Sequence, residues 1–181
     1  LMTSIVQSGD EGLRTKATPV PEDMFGSPLL AQYIKEMAES LDAEKDGVAL
    51  AAPQISIPYR IFIARPDRLL PPEEGKGQPV PEVIVFINPE ITRSSKRRLE
   101  VDEGCLSVRS IYGKTMRHER ATVCARTVDG SAFQRGGGGI MAQIYQHEID
   151  HLDGILFTDH ATDLIEVTRA QGAEAVTIPH G

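Results

Sequence analysis

Apolar residues recur at Leu30, Ile34, Met37, Ala38 and Leu41, the three-to-four spacing of a helix with one inward face. Ser27 and Pro28 just ahead of them supply a capping hydroxyl and a residue suited to a first turn. The pattern then changes period. Arg60–Ala64 and Val83–Ile87 are short apolar runs rich in branched and aromatic side chains, which predicts strands, and the proline- and glycine-rich stretch from Pro66 to Pro81 between them predicts a surface loop. Thr122–Arg126 predicts another strand, turned at Asp129-Gly130 toward Ala132–Gln134 as a hairpin. Four glycines, Gly136 to Gly139, read as a hinge before a second helix that starts near Ile140 and stops at Gly154. Strands and helices without regular βαβ alternation indicate an α+β fold, with mixed or antiparallel strands around that central second helix.

Length and composition narrow the class. The 181 residues, 40% hydrophobic and 25% charged, fit a soluble globular chain with one core. The expected division is a catalytic domain over residues 1–160 and a C-terminal tail over 161–181, where Ala175–Ile178 forms either a closing strand or a frayed end. A net charge of −7 argues against a nucleic-acid surface and against specific DNA binding. The local basic run Arg93 to Arg98 reads as a solvated turn, with transient contact to the ribosome the weaker alternative. No apolar stretch is long enough for a membrane span, and the N-terminus has no charged-then-apolar signal. Two cysteines, Cys105 and Cys124, make no disulfide framework and point to a reducing compartment. Cys124, within Ala-Thr-Val-Cys-Ala, reads as a small buried strand residue.

The chemistry concentrates in residues 146–154, Gln-His-Glu-Ile-Asp-His-Leu-Asp-Gly. His147 and His151, four apart on a helix, lie one above the other and can hold one divalent transition metal. Glu148 stands beside the first ligand, where it can reach a water at the metal's open position. A chance pairing is a poor account, because the chain has only five histidines. A third protein ligand is still required if the fourth position is to hold water. The downstream candidates His160, Glu166, Glu174 and His180 lie in no recognisable second motif. Upstream, Cys105 in Glu-Gly-Cys-Leu-Ser (103–107) is a better one, following a glycine that permits close backbone approach. A third segment, Gly47-Val48-Ala49-Leu50-Ala51-Ala52-Pro53-Gln54, is a run of small residues along which an extended substrate could pair as an added strand, ending in an amide donor. Spacing alone leaves the reaction open between peptide hydrolysis and deformylation.

In this order and spacing the three segments resemble those of peptide deformylase, the enzyme that removes the formyl group from the initiator methionine of nascent chains. Glu-Gly-Cys-Leu-Ser and Gln-His-Glu-x-Asp-His-Leu match in full, and the resemblance spans roughly residues 3–160. In the Gly-x-Gly-Leu-Ala-Ala-x-Gln segment Ala49 replaces the second glycine, so a methyl group is expected to narrow the cleft. The resemblance implies a metal held by Cys105, His147 and His151, ferrous iron with zinc, nickel or cobalt able to replace it. It implies attack by metal-bound hydroxide with Glu148 as general base and acid, and an oxyanion met by the metal, the Gln54 side chain and the Leu106 backbone N–H. It implies N-formylmethionyl peptides as partners, in the cytoplasm or an organelle matrix. The substrate is expected to lie along Gly47, Val48 and Ala49. Ile140, Gln143 and Ile144, by helical spacing on the side of His147, together with Val48 and Val101, are expected to line the methionine pocket. Gln143 departs from an apolar family position, and Arg109 stands where a proline often follows. Asp150 and Gln146 are expected to orient the imidazole N–H groups, and Glu103 to anchor its loop through Arg117.

Overall fold

Helix α1 (Pro28–Asp42) forms where the spacing places it: the Ser27 hydroxyl accepts from the Leu30 N–H at 3.2 Å, and Pro28 opens the first turn. Its inward face buries Leu30, Met37 and Leu41, with Ile34 and Ala38 packed at the margin. The structure, a computed structural model, describes residues 3–70 and 81–167. Among them the strands are, in chain order, β1 (Ala49–Ala51), β2 (Ile61–Ala64), β3 (Ile84–Ser94), β4 (Arg98–Cys105), β5 (Val108–His118), β6 (Arg120–Arg126), β7 (Ala132–Gly138) and β8 (Thr162–Glu166). One sheet has the order β1-β2-β3-β6-β7 and a second the order β4-β5-β8, and every neighbouring pair is antiparallel. Helix α2 (Ile140–Leu152) packs against strands of both sheets, so the fold is α+β with antiparallel strands around the helix.

The main core lies beneath α2. Phe62 and Phe86 stack with ring centroids 4.3 Å apart, and Tyr145 of α2 meets Phe86 edge-on at 5.7 Å. Ala49, Ala51, Val123, Ala142 and Ile144 fill the same cluster. Alternate residues of β6 face it, namely Ala121, Val123 and Ala125; Cys124 points the other way and is half-buried, which corrects the expectation of a buried thiol.

The glycine run is not a hinge. Gly136, Gly137 and Gly138 belong to β7 and pair with β6. The reason is proximity: a Cβ on Gly137 would stand 2.8 Å from Met141 Cβ and 3.2 Å from the Tyr145 ring, so glycine lets α2 fold back tightly over the strand it follows. Gly139, at φ 57°, makes the turn between them. At the other end of α2, Gly154 at φ 76° passes so near Arg14 that a Cβ would lie 2.5 Å from the Arg14 carbonyl oxygen.

The turn at 95–97, exposed at Lys96 and Arg97, joins β3 to β4, so the basic run is part strand and part turn. Most of the Pro66–Pro81 stretch, and the Ala175–Ile178 expectation, lie outside the described residues. Within 161–167, β8 pairs with β5. Among the described residues no helix is long and apolar enough to cross a membrane.

Candidate metal centre

Three elements carry the site. Strand β4 delivers Cys105 at its end, α2 presents His147 and His151 one turn apart, and the 3₁₀ turn Ala52–Ile55 after β1 presents Gln54. Ligand atoms of Cys105, His147 and His151 lie within 4.8 Å of one another, and all three residues are buried. Cys105 Sγ is 3.2 Å from His151 Nε2. A four-coordinate metal with bonds of about 2.0–2.3 Å holds its ligands roughly 3.3–3.8 Å apart, close to the Cys105–His151 separation. The thiolate-and-imidazole donor set suits a divalent transition metal.

The surroundings point the same way. The Glu103 carboxylate lies 3.3 Å from His147 Nδ1, which leaves Nε2 to face the other ligands. Burial opposes charge on His147, but the Cys105 sulfur and the Glu103 carboxylate outweigh it and raise the imidazole well above its ordinary value. For His151, burial and the neighbouring His147 charge both push the imidazole well below its ordinary value.

Glu148 is fully buried, and neither of its carboxylate oxygens has a hydrogen-bond partner among the described residues. Its Oε1 lies 3.9 Å from His147 Nε2. Burial pushes its carboxyl up to about 7, against the opposing pull of His147. A carboxyl so poised can take and return a proton near neutral pH.

Gln54 is held at both ends of its amide. Its Oε1 accepts from the Ala51 N–H at 2.8 Å, and its Nε2 donates to Ser107 Oγ at 3.1 Å and points at Cys105 Sγ at 3.7 Å. The Ser107 N–H also points at the sulfur, at 3.4 Å. Leu106 lies directly beyond the ligand, with its carbonyl accepting from Gln7 Nε2 at 2.9 Å. Ser107 stood in the Glu-Gly-Cys-Leu-Ser segment without a role, and Gln7 gave no signal at all because its partner is 99 residues away.

The remaining expected residues divide. Val48, Gln143 and Ile144 are buried, while Ile140 is 41% exposed and Val101 is half-buried. Gln143 is committed to β4 through a 2.8 Å hydrogen bond to the Asp102 carbonyl. Ala49 is fully buried in the core beneath α2, so protein covers its methyl group. Gly47 touches both Glu44 and Leu106; a Cβ there would come within 3.2 Å of each. Asp150 and Gln146 do not orient the imidazoles through the bonds they make. Gln146 bonds both backbone groups of His118, and Asp150 accepts from Arg117 at 2.7 Å. The orienting group is Glu103, itself gripped by Arg117 as expected. The downstream ligand candidates His160 and Glu166 are not in the cluster; Glu174 and His180 lie outside the described residues.

Comparison with known proteins fits this arrangement. The family model for polypeptide deformylase matches residues 2–166. The peptide deformylase of Acidobacterium capsulatum is 40% identical over 157 residues, covering 87% of this chain and 85% of that protein. A solved peptide deformylase from Legionella pneumophila superposes with a TM-score of 0.76 at 36% identity, covering 90% of this chain and 88% of its own. The class I type b peptide deformylase of Acinetobacter baumannii, solved with Met-Ala-Ser bound, gives a TM-score of 0.76 at 32% identity and covers 88% and 99% of the two chains.

Proposed function

Since the chain belongs to the polypeptide deformylase family, we propose that it removes the formyl group from the N-terminal methionine of nascent polypeptides by metal-assisted hydrolysis, with Cys105, His147 and His151 holding the metal. The observation that carries this reading is the convergence of those three ligand atoms within 4.8 Å, beside the buried carboxylate of Glu148. When bound, the metal supplies a Lewis acid that makes hydroxide available near neutral pH. The resemblance favours ferrous iron, and the donor set also suits zinc, nickel or cobalt.

The residues have separate tasks. Glu103 fixes the His147 ring by engaging Nδ1, so the ligand nitrogen faces the cluster before any substrate arrives. Glu148 takes the proton of the attacking water and returns it to the leaving amine. The Gln54 amide, already anchored through Ala51, turns its N–H toward the oxygen that becomes negative at the formyl carbon, with the Leu106 N–H as a second donor. Loss of one such donor costs about 3–4 kcal/mol in the transition state.

The substrate is an N-formylmethionyl peptide, laid along the Gly47-Val48-Ala49 backbone. Val48, Val101, Ile140, Gln143 and Ile144 form the methionine site. That a relative binds Met-Ala-Ser supports a peptide beginning with methionine. The catalytic unit runs through residue 160, and the stretch beyond it adds β8 to the second sheet. Work on nascent formylated chains places the protein in the cytoplasm or an organelle matrix. The test is formate release from formyl-Met-Ala-Ser by protein purified without oxygen. Cleavage of an internal peptide bond in place of formate release would refute the reading.

A further inference from the structure

A charged pair bridges the two segments that the deformylase reading places around the substrate. Arg109, at the start of β5, donates Nη2 to Glu44 Oε1 at 2.7 Å and Nη1 to Oε2 at 3.3 Å. Glu44 lies in the loop between α1 and Gly47, and Arg109 lies three residues beyond Leu106. The bridge therefore sits beside the point where Gly47 meets Leu106. The Cys105 sulfur also acts on this guanidinium, adding to the larger effect of Glu44 in favouring its charge against burial.

Both ends stand on fixed backbone. The Glu44 carbonyl accepts from the Gly47 N–H at 3.1 Å and from Arg68 Nη1 at 2.8 Å, and the same Arg68 nitrogen also reaches the Leu41 and Gly47 carbonyls. The Arg109 N–H points at Gln7 Oε1 at 3.4 Å, and Gln7 in turn holds the Leu106 carbonyl. The side chains remain open to solvent, Arg109 at 49% and Glu44 at 27% exposure. An exposed pair is weak enough for an incoming charge to join or replace it.

The two partners are not equivalent toward a third charge. Arg109 is the more exposed partner and keeps its Nε–H and one hydrogen on each Nη for a further acceptor, whereas Glu44 is the more covered of the two. We propose that Arg109 and Glu44 form a charge-reading rim that makes the protein prefer formyl peptides with an acidic residue soon after the methionine over the same peptides with a basic one. The inference rests on the deformylase reading and adds a specificity determinant to it.

The experiment uses C-terminally amidated peptides, formyl-Met-Xaa-Ser and formyl-Met-Ala-Xaa, with Xaa either Asp or Lys, at low ionic strength. The readout is the ratio of kcat/KM for Asp over Lys within each protein, so a general loss of activity cancels. The metal-loaded parent should favour Asp about two- to fivefold at one of the two positions, the range an exposed charge pair supports. The preference should shrink as salt is added. Arg109→Gln should bring the ratio toward one through KM, Arg109→Glu should invert it, and Glu44→Gln should raise it. A ratio equal in all four proteins, with formyl-Met-Ala-Ser amide still deformylated, overturns this inference alone. No formate from that neutral peptide overturns the deformylase reading, and this inference with it.

Discussion

Arg117 grips Glu103 with two parallel hydrogen bonds, Nε to Oε1 at 2.9 Å and Nη2 to Oε2 at 2.6 Å, where neither side chain is more than 6% exposed. The third guanidinium nitrogen reaches Asp150 at 2.7 Å, and Glu103 in turn faces His147. A chain of charge thus runs from the second sheet through the interior to His147. Removing one member of a buried pair leaves the other uncompensated, typically at a cost of about 3–5 kcal/mol.

Arg117→Met should therefore lower the unfolding temperature by roughly 6–20 °C, given about 2–4 °C per kcal/mol in a chain of this size. Its metal affinity should fall about ten- to a hundredfold, as the His147 ring loses its fixed carboxylate. Thermal unfolding and competition with a coloured chelator check the two effects. A variant with parental melting temperature and parental affinity would show that Glu103 is held by other means.

On the proposed role of Glu148 in proton transfer and not in ligation, Glu148→Gln should keep the metal and lose turnover by at least about a hundredfold. Metal content by elemental analysis and formate release on the same sample separate these roles. Parallel loss of both would move Glu148 into the ligand set.

Glycine 154 offers a test of the fold. Gly9, at φ 105°, has nothing within 4 Å of an added Cβ, whereas at Gly154 the Arg14 carbonyl stands 2.5 Å away. Gly9→Ala should cost only the left-handed strain, about 1–2 kcal/mol. Gly154→Ala should cost clearly more, because backbone must also move. Urea unfolding of the pair decides the matter, and equal losses would mean that the contact at Arg14 relaxes freely.

Ala49→Gly follows from a correction to the sequence reading. A methyl expected to narrow the cleft is instead enclosed by the core beneath α2. Its removal should destabilise the protein by about 0.5–1 kcal/mol, the usual loss for glycine in a strand. A variant with undiminished stability and a lower KM would restore the crowding explanation.

What the sequence made legible was whatever rests on local pattern. Helix α1 was readable from its cap and spacing, α2 from His-Glu-x-x-His and Gly154, and β2, β3 and the β6–β7 hairpin from apolar runs around turn residues. Strands β4 and β5 escaped notice because they bury polar and charged groups in place of hydrophobes: Glu103, Thr115 and Arg117 face inward, and Thr115 and Arg117 both donate to Glu103 across the pair. β1 is three residues long and β8 is exposed along its whole length, so neither offers a period to detect. The glycines of β7 imitate a hinge until α2 is seen lying on them. At the site, motif spacing placed Cys105, His147, His151, Glu148 and Gln54. The direct contact to His147 comes from Glu103 on β4, while Asp150 acts one step removed through Arg117 and Gln146 bonds the His118 backbone, and partners on other strands leave no local spacing to read.

Iron as the working metal implies oxygen sensitivity. Iron-loaded protein should lose activity over hours in air, through oxidation of the metal or of the Cys105 sulfur, while nickel-loaded protein should retain it. Formate release sampled from matched aerobic incubations reads the difference. Equal survival would favour a redox-inert metal in the same three-residue site.

The central claim is tested most directly by formate release from formyl-Met-Ala-Ser, measured beside metal content on one preparation, before and after chelation and in Cys105→Ala. The account predicts about one metal per chain, formate release that disappears on chelation and returns with added divalent metal, and loss of both metal and activity in Cys105→Ala. Formate release that persists in the metal-stripped protein, or in Cys105→Ala, would contradict it.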